Sequence, residues 1–191
     1  MDPLDFDPAT TTMARLVTGV ADDQLTARTP CPDYSVADLV DHIGGLAFAF
    51  TESARKGDVP GRGGSGDGSR LEDGWRERIA AQLAELAEAW RDPAAYDGIT
   101  MAGPIEMPAE VAALVALDEV VVHGWDLARS TGQRFEADDA AAAACLGFAE
   151  SFETPADDDD GPFGPPVPVP ADDDVLDRLI GATGRDPSWT P

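Results

Sequence analysis

Apolar residues recur at intervals of three and four along four long stretches of the chain, and no stretch sustains an alternation of apolar and polar positions. That period belongs to amphipathic helices, so the pattern predicts an all-α protein. The first helix is expected from Pro8 to Leu25, with Met13, Leu16, Val17 and Val20 as its stripe. A turn from Thr29 to Tyr34 leads into the second, where Ser35 is placed as N-cap and Asp38 answers it in a capping-box arrangement. Leu39, Ile43, Leu46 and Phe50 form the apolar face of that helix. Residues 57–69 are glycine-rich and read as a mobile loop. Trp75, Ile79, Leu83, Leu86 and Trp90 mark a third helix, and residues 92–107 an irregular connection. The fourth helix, Pro108 to Ser130, is apolar nearly all round, which predicts burial among the others.

Beyond this core the Ala-rich residues 137–152 predict a fifth helix, and Asp172 to Ile180 a short last one. Between them Pro155 to Pro170 mixes prolines with an Asp run, which excludes a helix and reads as an extended acidic strap. Phe163 and Trp189 are placed as apolar pins holding the tail to the body. The expected organisation is a helical bundle over 1–154 and a strap with a short helix over 155–191, packed on the bundle.

Charge narrows the function. The 191 residues carry 37 acidic and 13 basic side chains, a net charge of −24, which argues against nucleic acid and against anionic membrane surfaces as partners. The first residues have neither a basic nor an apolar leader pattern, and no run of about 18 apolar residues occurs, so a cytoplasmic protein with nothing removed is expected. The two cysteines, Cys31 and Cys145, are far apart and form no CxxC pair, so no zinc ribbon or disulfide framework is indicated. Cys31 is assigned a packing role.

The chain has two histidines, and both fall on predicted core helices: His42 on the second and His123 on the fourth. Glu119 stands one helical turn before His123, so carboxylate and imidazole leave the same face. An ionised Glu among valines and leucines needs compensation. A divalent metal would supply it, because His42, Glu119 and His123 offer two imidazoles and one carboxylate, a set that suits zinc with one position open. The same residues are also read as a buried Glu119–His123 hydrogen-bonded pair with no metal. Asp126, three residues after His123, either orients a metal ligand from behind or pairs with Arg129 or another nearby Arg. Asp38 is read as a helix cap, and Trp125 as a buried aromatic.

The string Glu119-Val-Val-Val-His123-Gly124-Trp125-Asp126-Leu127-Ala128-Arg129, with Thr29-Pro30-Cys31 and the Val36…Leu39…His42 helix before it, resembles the DinB-like metal-binding superfamily. Within it the nearest branch is similar to the N-terminal domain of mycothiol-dependent maleylpyruvate isomerases. The ending, Phe163-Gly164-Pro165-Pro166-Val167 through Gly184-Arg185-Asp186-Pro187-Ser188-Trp189, is similar to an actinobacterial subgroup of that branch. The resemblance implies a four-helix bundle of up-down-down-up topology, extended by C-terminal helices and the Pro/Asp-rich strap, with a divalent metal at its mouth. The metal implied is usually zinc, with nickel or iron as alternatives, and the ligands carried over are His42, Glu119 and His123. It further implies a small-molecule thiol, mycothiol, held as its thiolate, and an electrophilic substrate. The chain is expected to lack the isomerases' appended C-terminal domain and to carry the strap instead. Three functions stay open: a thiol-dependent S-transferase or isomerase, a non-catalytic metal-binding bundle, and a metal-free scaffold. Whether the chain forms a homodimer also stays open.

Overall fold

The computed structural model describes residues 3–57, 66–152 and 163–191. Among these residues it contains helices α1 (Asp7–Thr18), α2 (Val36–Ala54), α3 (Trp75–Ala89), α4 (Ala109–Thr131), α5 (Asp139–Ala149) and α6 (Val175–Ala182). A hairpin of β1 (Ile99–Ala102) and β2 (Ile105–Pro108) is the only sheet among the described residues. The chain is therefore mostly helical, as its periodicity predicts. Helix α1 packs on α3, α3 on α2, α2 on α4 and α4 back on α1. Met13 and Leu16 from α1, Leu39 from α2, Ile79, Leu83 and Leu86 from α3 and Leu117 and Leu127 from α4 meet as fully buried side chains. Helix α4 is buried on nearly every side, which explains its lack of a polar face.

The first helix is shorter than expected. It ends at Thr18, where the Gln133 amide caps it by donating from Nε2 to the Leu16 carbonyl at 2.9 Å, packed so close to Gly19 that a Cβ there would stand 2.3 Å from Gln133 Oε1. Asp22–Gln24 then form a separate 3₁₀ turn. Residues 92–107 are more ordered than expected: Pro93–Tyr96 make another 3₁₀ turn, and the hairpin follows, turning at Gly103 with φ 59°. Four-residue strands with Ile99 and Ile105 exposed leave no alternation to detect, and Thr100 alone points inward, its hydroxyl donating to the Ser53 carbonyl of α2 at 2.6 Å.

The start of α2 obeys its sequence. Ser35 accepts from the Asp38 amide, and the Asp38 carboxylate accepts from the Ser35 amide at 2.9 Å. Asp38 also accepts from the Gly68 amide at 2.8 Å, and the Tyr34 hydroxyl accepts from the Gly66 amide at 3.0 Å. The described end of the glycine-rich segment thus lies fixed against the first turns of α2, whereas residues 58–65 of the expected loop fall outside the described residues. Of the strap, residues 155–162 also fall outside them. Phe163 packs edge-on against Phe148 of α5, as an apolar pin should, whereas at Trp189 it is the backbone carbonyl that is held, accepting from Arg129 Nε at 3.1 Å. Helix α6 packs on α5, and its last turn ends at Thr183 ahead of Gly184, whose φ of 81° turns the chain back toward α4.

Candidate metal centre

Helix α4 presents Glu119 and His123 from one face, and α2 faces them with His42. His123 Nε2 lies 2.9 Å from Glu119 Oε2, and His42 Nε2 3.9 Å from the same oxygen. The two imidazoles stand edge to face, 5.1 Å apart. All three residues offer a ligand atom within 4.8 Å of the others. Bonds of about 2.0–2.1 Å to a tetrahedral metal put ligand atoms roughly 3.3 Å apart, a value that the two observed separations bracket. Exposure falls from 30% at the Glu119 side chain through 17% at His42 to 8% at His123, so the group opens to one side.

Behind His123 the chain builds a second layer. His123 Nδ1 donates to Asp126 Oδ2 at 2.9 Å, and Asp126 is fully buried. Arg185, from the tail after α6, donates from Nε to Asp126 Oδ1 at 3.2 Å and from Nη2 to Oδ2 at 3.1 Å. Its Nη1 donates to the Thr183 carbonyl at 2.9 Å, and its Nη2 lies 3.5 Å from Cys31 Sγ. Burial raises the Asp126 carboxyl, but the hydrogen bond from His123 and the charge of Arg185 outweigh it and hold it below the carboxylate range. Burial likewise raises Glu119, and His123, His42 and Arg185 bring it down. His123 shows the reverse balance: burial lowers it, and its partners Asp126, Cys31 and Glu119 hold it well above the usual imidazole value.

Cys31, His123 and Asp126 form a second group of ligand types within 4.8 Å. The Arg185 guanidinium already covers that side, and a metal ion there would meet a fixed positive charge. The His42, Glu119 and His123 group faces a cavity of about 330 Å³, which Arg185 also lines. Asp126, Arg185 and His123 therefore make the supporting side, and Glu119 with His42 the open one.

The mycothiol maleylpyruvate isomerase N-terminal domain family model matches residues 6–128, which carry all of this centre except Arg185. The chain belongs to that family. This places it in the DinB-like branch that its helix motifs resemble. Members with which this family protein shares 31% identity are uncharacterized proteins of Mycobacterium tuberculosis, strains CDC 1551 / Oshkosh and ATCC 25618 / H37Rv, over 97% of this chain and 98% of each relative. The crystal structure of the mycothiol-dependent maleylpyruvate isomerase superposes with a TM-score of 0.55 at 17% identity, over 75% of this chain, as does that of a histidine-to-alanine mutant. That likeness is one of fold. This N-terminal-domain relative spans 64% of the length of the isomerase chain.

Three further residues of this family member line the cavity without having been singled out for it by sequence reasoning. Asp118 is 5% exposed, its Oδ1 has no hydrogen-bond partner, and burial together with the neighbouring Glu119 pushes its carboxyl up to about 7. An acid inside the most apolar helix was the available signal. Arg185 had none, because nothing local ties a tail arginine to Asp126, 59 residues earlier. Cys31 is more than packing, since its thiol faces Asp126 at 3.7 Å and Arg185. Arg129 takes no part: it donates to tail carbonyls and lies over the ring of Trp125, which is buried as expected.

Proposed function

We propose that the chain binds a divalent metal, zinc in the first instance, through His42, Glu119 and His123, and uses it to run thiol-dependent S-transfer or isomerisation on a small electrophile. The observation that carries this reading is the donor set itself: two imidazole nitrogens and one carboxylate oxygen at metal-like separations, open to a cavity on one side and braced on the other. Bound there, zinc would supply Lewis acidity that lowers the pKa of a coordinated thiol. Asp126 fixes the His123 ring by accepting from Nδ1, which leaves Nε2 aimed at the open side. Arg185 neutralises Asp126, so the carboxylate stays ionised though fully buried. Phe163 and Val122 give the cavity apolar walls, and Tyr34 lines it beside them.

The mycothiol-linked family supports mycothiol as the thiol, and it supports a small-molecule electrophile as the partner. Elemental analysis of tag-free protein followed by calorimetric titration with mycothiol tests the reading. One zinc per chain and saturable mycothiol binding are expected. Zinc without thiol binding leaves a non-catalytic metal-binding bundle, and no zinc after metal is added back leaves a scaffold held by the Glu119–His123 pair.

A further inference from the structure

The Thr29-Pro30-Cys31 turn ahead of α2 supplies none of the three proposed ligands, but it fixes a residue that lies against one of them. Thr29 is buried, and its hydroxyl reaches the Cys31 carbonyl at 2.7 Å and the Tyr34 carbonyl at 2.9 Å. The Tyr34 amide donates to the Cys31 carbonyl at 3.1 Å, which closes the turn directly before the Ser35 cap. Asp38 and His42 follow Tyr34 at intervals of four, the spacing that keeps side chains on one side of a helix. The Tyr34 ring meets the His42 ring along that side, with centroids 5.3 Å apart and planes tilted by 57°, within the range in which aromatic rings attract.

The far end of the Tyr34 side chain is fixed as well. Its hydroxyl accepts from the Gly66 amide at 3.0 Å. The residues after Gly66 are tied to α2: the Gly68 amide donates to Asp38 Oδ1 at 2.8 Å, the Asp67 amide to Asp41 Oδ2 at 3.1 Å, and Arg70 Nη2 to that same oxygen at 2.6 Å. A Cβ on Gly66 would stand 3.1 Å from His42 Cβ, so this backbone also flanks His42.

The two imidazoles are thus supported from different directions. His123 is held through Nδ1 by buried Asp126. His42, 17% exposed at the edge of the cavity, has the Tyr34 ring and the Gly66 backbone against it. A histidine side chain has several staggered rotamers, and a ring already confined to one of them loses less freedom when it binds a ligand.

We infer that Tyr34 is a positioning residue for His42: its ring, anchored by the Thr29 turn at one end and by Gly66 at the other, holds the His42 imidazole toward Glu119 and His123. The inference deepens the proposed function and rests on it for the role of His42 as a metal ligand, but the fixing of the ring is a property of the metal-free protein.

Carbon relaxation of the two imidazole C–H groups reads this directly in metal-free protein, with His123 as the control for His42. Both rings are expected to be rigid in the wild type. Tyr34→Leu, and Tyr34→Gln as a second ring-less variant at this half-buried position, are expected to loosen His42 and leave His123 rigid. Tyr34→Phe keeps the ring and is expected to keep His42 rigid. Isothermal titration with zinc should then find a loss of about ten-fold or more in the ring-less variants and of under about three-fold in Tyr34→Phe. A His42 ring that is mobile in the wild type, or that stays rigid in the ring-less variants, would overturn the inference, and so would loosening of both histidines alike or wild-type zinc affinity without the Tyr34 ring. Failure of the metal reading shows separately, as wild-type protein that takes up no zinc, and the relaxation of the metal-free rings decides the inference in that case too.

Discussion

At the scale of single residues, the centre is a hierarchy in which each side chain is fixed by the next: Arg185 holds Asp126, Asp126 holds His123, and His123 faces Glu119. Loss of a donor should therefore cost more metal affinity than loss of a support. Isothermal titration with zinc is expected to find no stoichiometric binding in His42→Ala, severe weakening in Glu119→Gln, and a loss of about 10–100-fold in Asp126→Asn. Equal losses in the last two would contradict the assignment of Glu119 as a ligand. Protonation gives a second check. The raised pKa of His123 contributes stability to the metal-free protein that is complete below about 6.5 and is lost as pH rises through the folded-state value. The lowered Glu119 and Asp126 contribute stability that is present above the ordinary carboxylate pKa and is lost as pH falls through theirs. The metal-free protein should thus melt at lower temperature on both sides of that window. Zinc needs the Nε2 lone pair, so its binding should release a proton and tighten with rising pH, which calorimetry in two buffers of different ionisation enthalpy measures.

At the scale of elements, the position of His42 depends on how α2 begins. The capping box was legible because Ser35 and Asp38 sit at the required spacing, and the structure adds the Gly68 amide to the same carboxylate. Gly66 lies so close that a Cβ there would stand 2.0 Å from the Asp38 carbonyl oxygen and 3.1 Å from His42 Cβ. Gly66→Ala is expected to lower stability by about 1–3 kcal/mol in denaturant titration and to weaken zinc binding with it. The helices themselves were readable because each has one buried stripe, or in α4 no polar face at all. The hairpin was not, because its strands are four residues long and its order comes from contacts with α2. The end of α1 was missed for a related reason: it is set by Gln133, far along the chain.

At the scale of the whole molecule, the tail completes the centre. His42, Glu119 and His123 were selected from their helical positions and from the family resemblance, and their convergence needs only the packing of α2 on α4. Arg185 could not be found that way, since the local sequence says nothing about which buried carboxylate a tail arginine reaches. Removing it takes the guanidinium from a fully buried carboxylate and leaves Asp126 only His123 Nδ1 and the Cys31 thiol as partners. Arg185→Ala is expected to destabilise the protein by about 3 kcal/mol or more in chemical denaturation, whereas Arg134→Ala, an exposed ion-pair residue, should cost under about 1 kcal/mol. Among the described residues no helix is long and apolar enough to cross a membrane. The central claim is a metal held by the three α2 and α4 side chains with a position open to a thiol. Cobalt(II) reports both parts in one absorption spectrum. The cobalt-loaded protein should show ligand-field bands at one equivalent, with a thiolate-to-cobalt charge-transfer band only after mycothiol is added, and His42→Ala should show neither. A charge-transfer band before any thiol is added would mean that Cys31 closes the site, and absence of the band after addition would contradict the account.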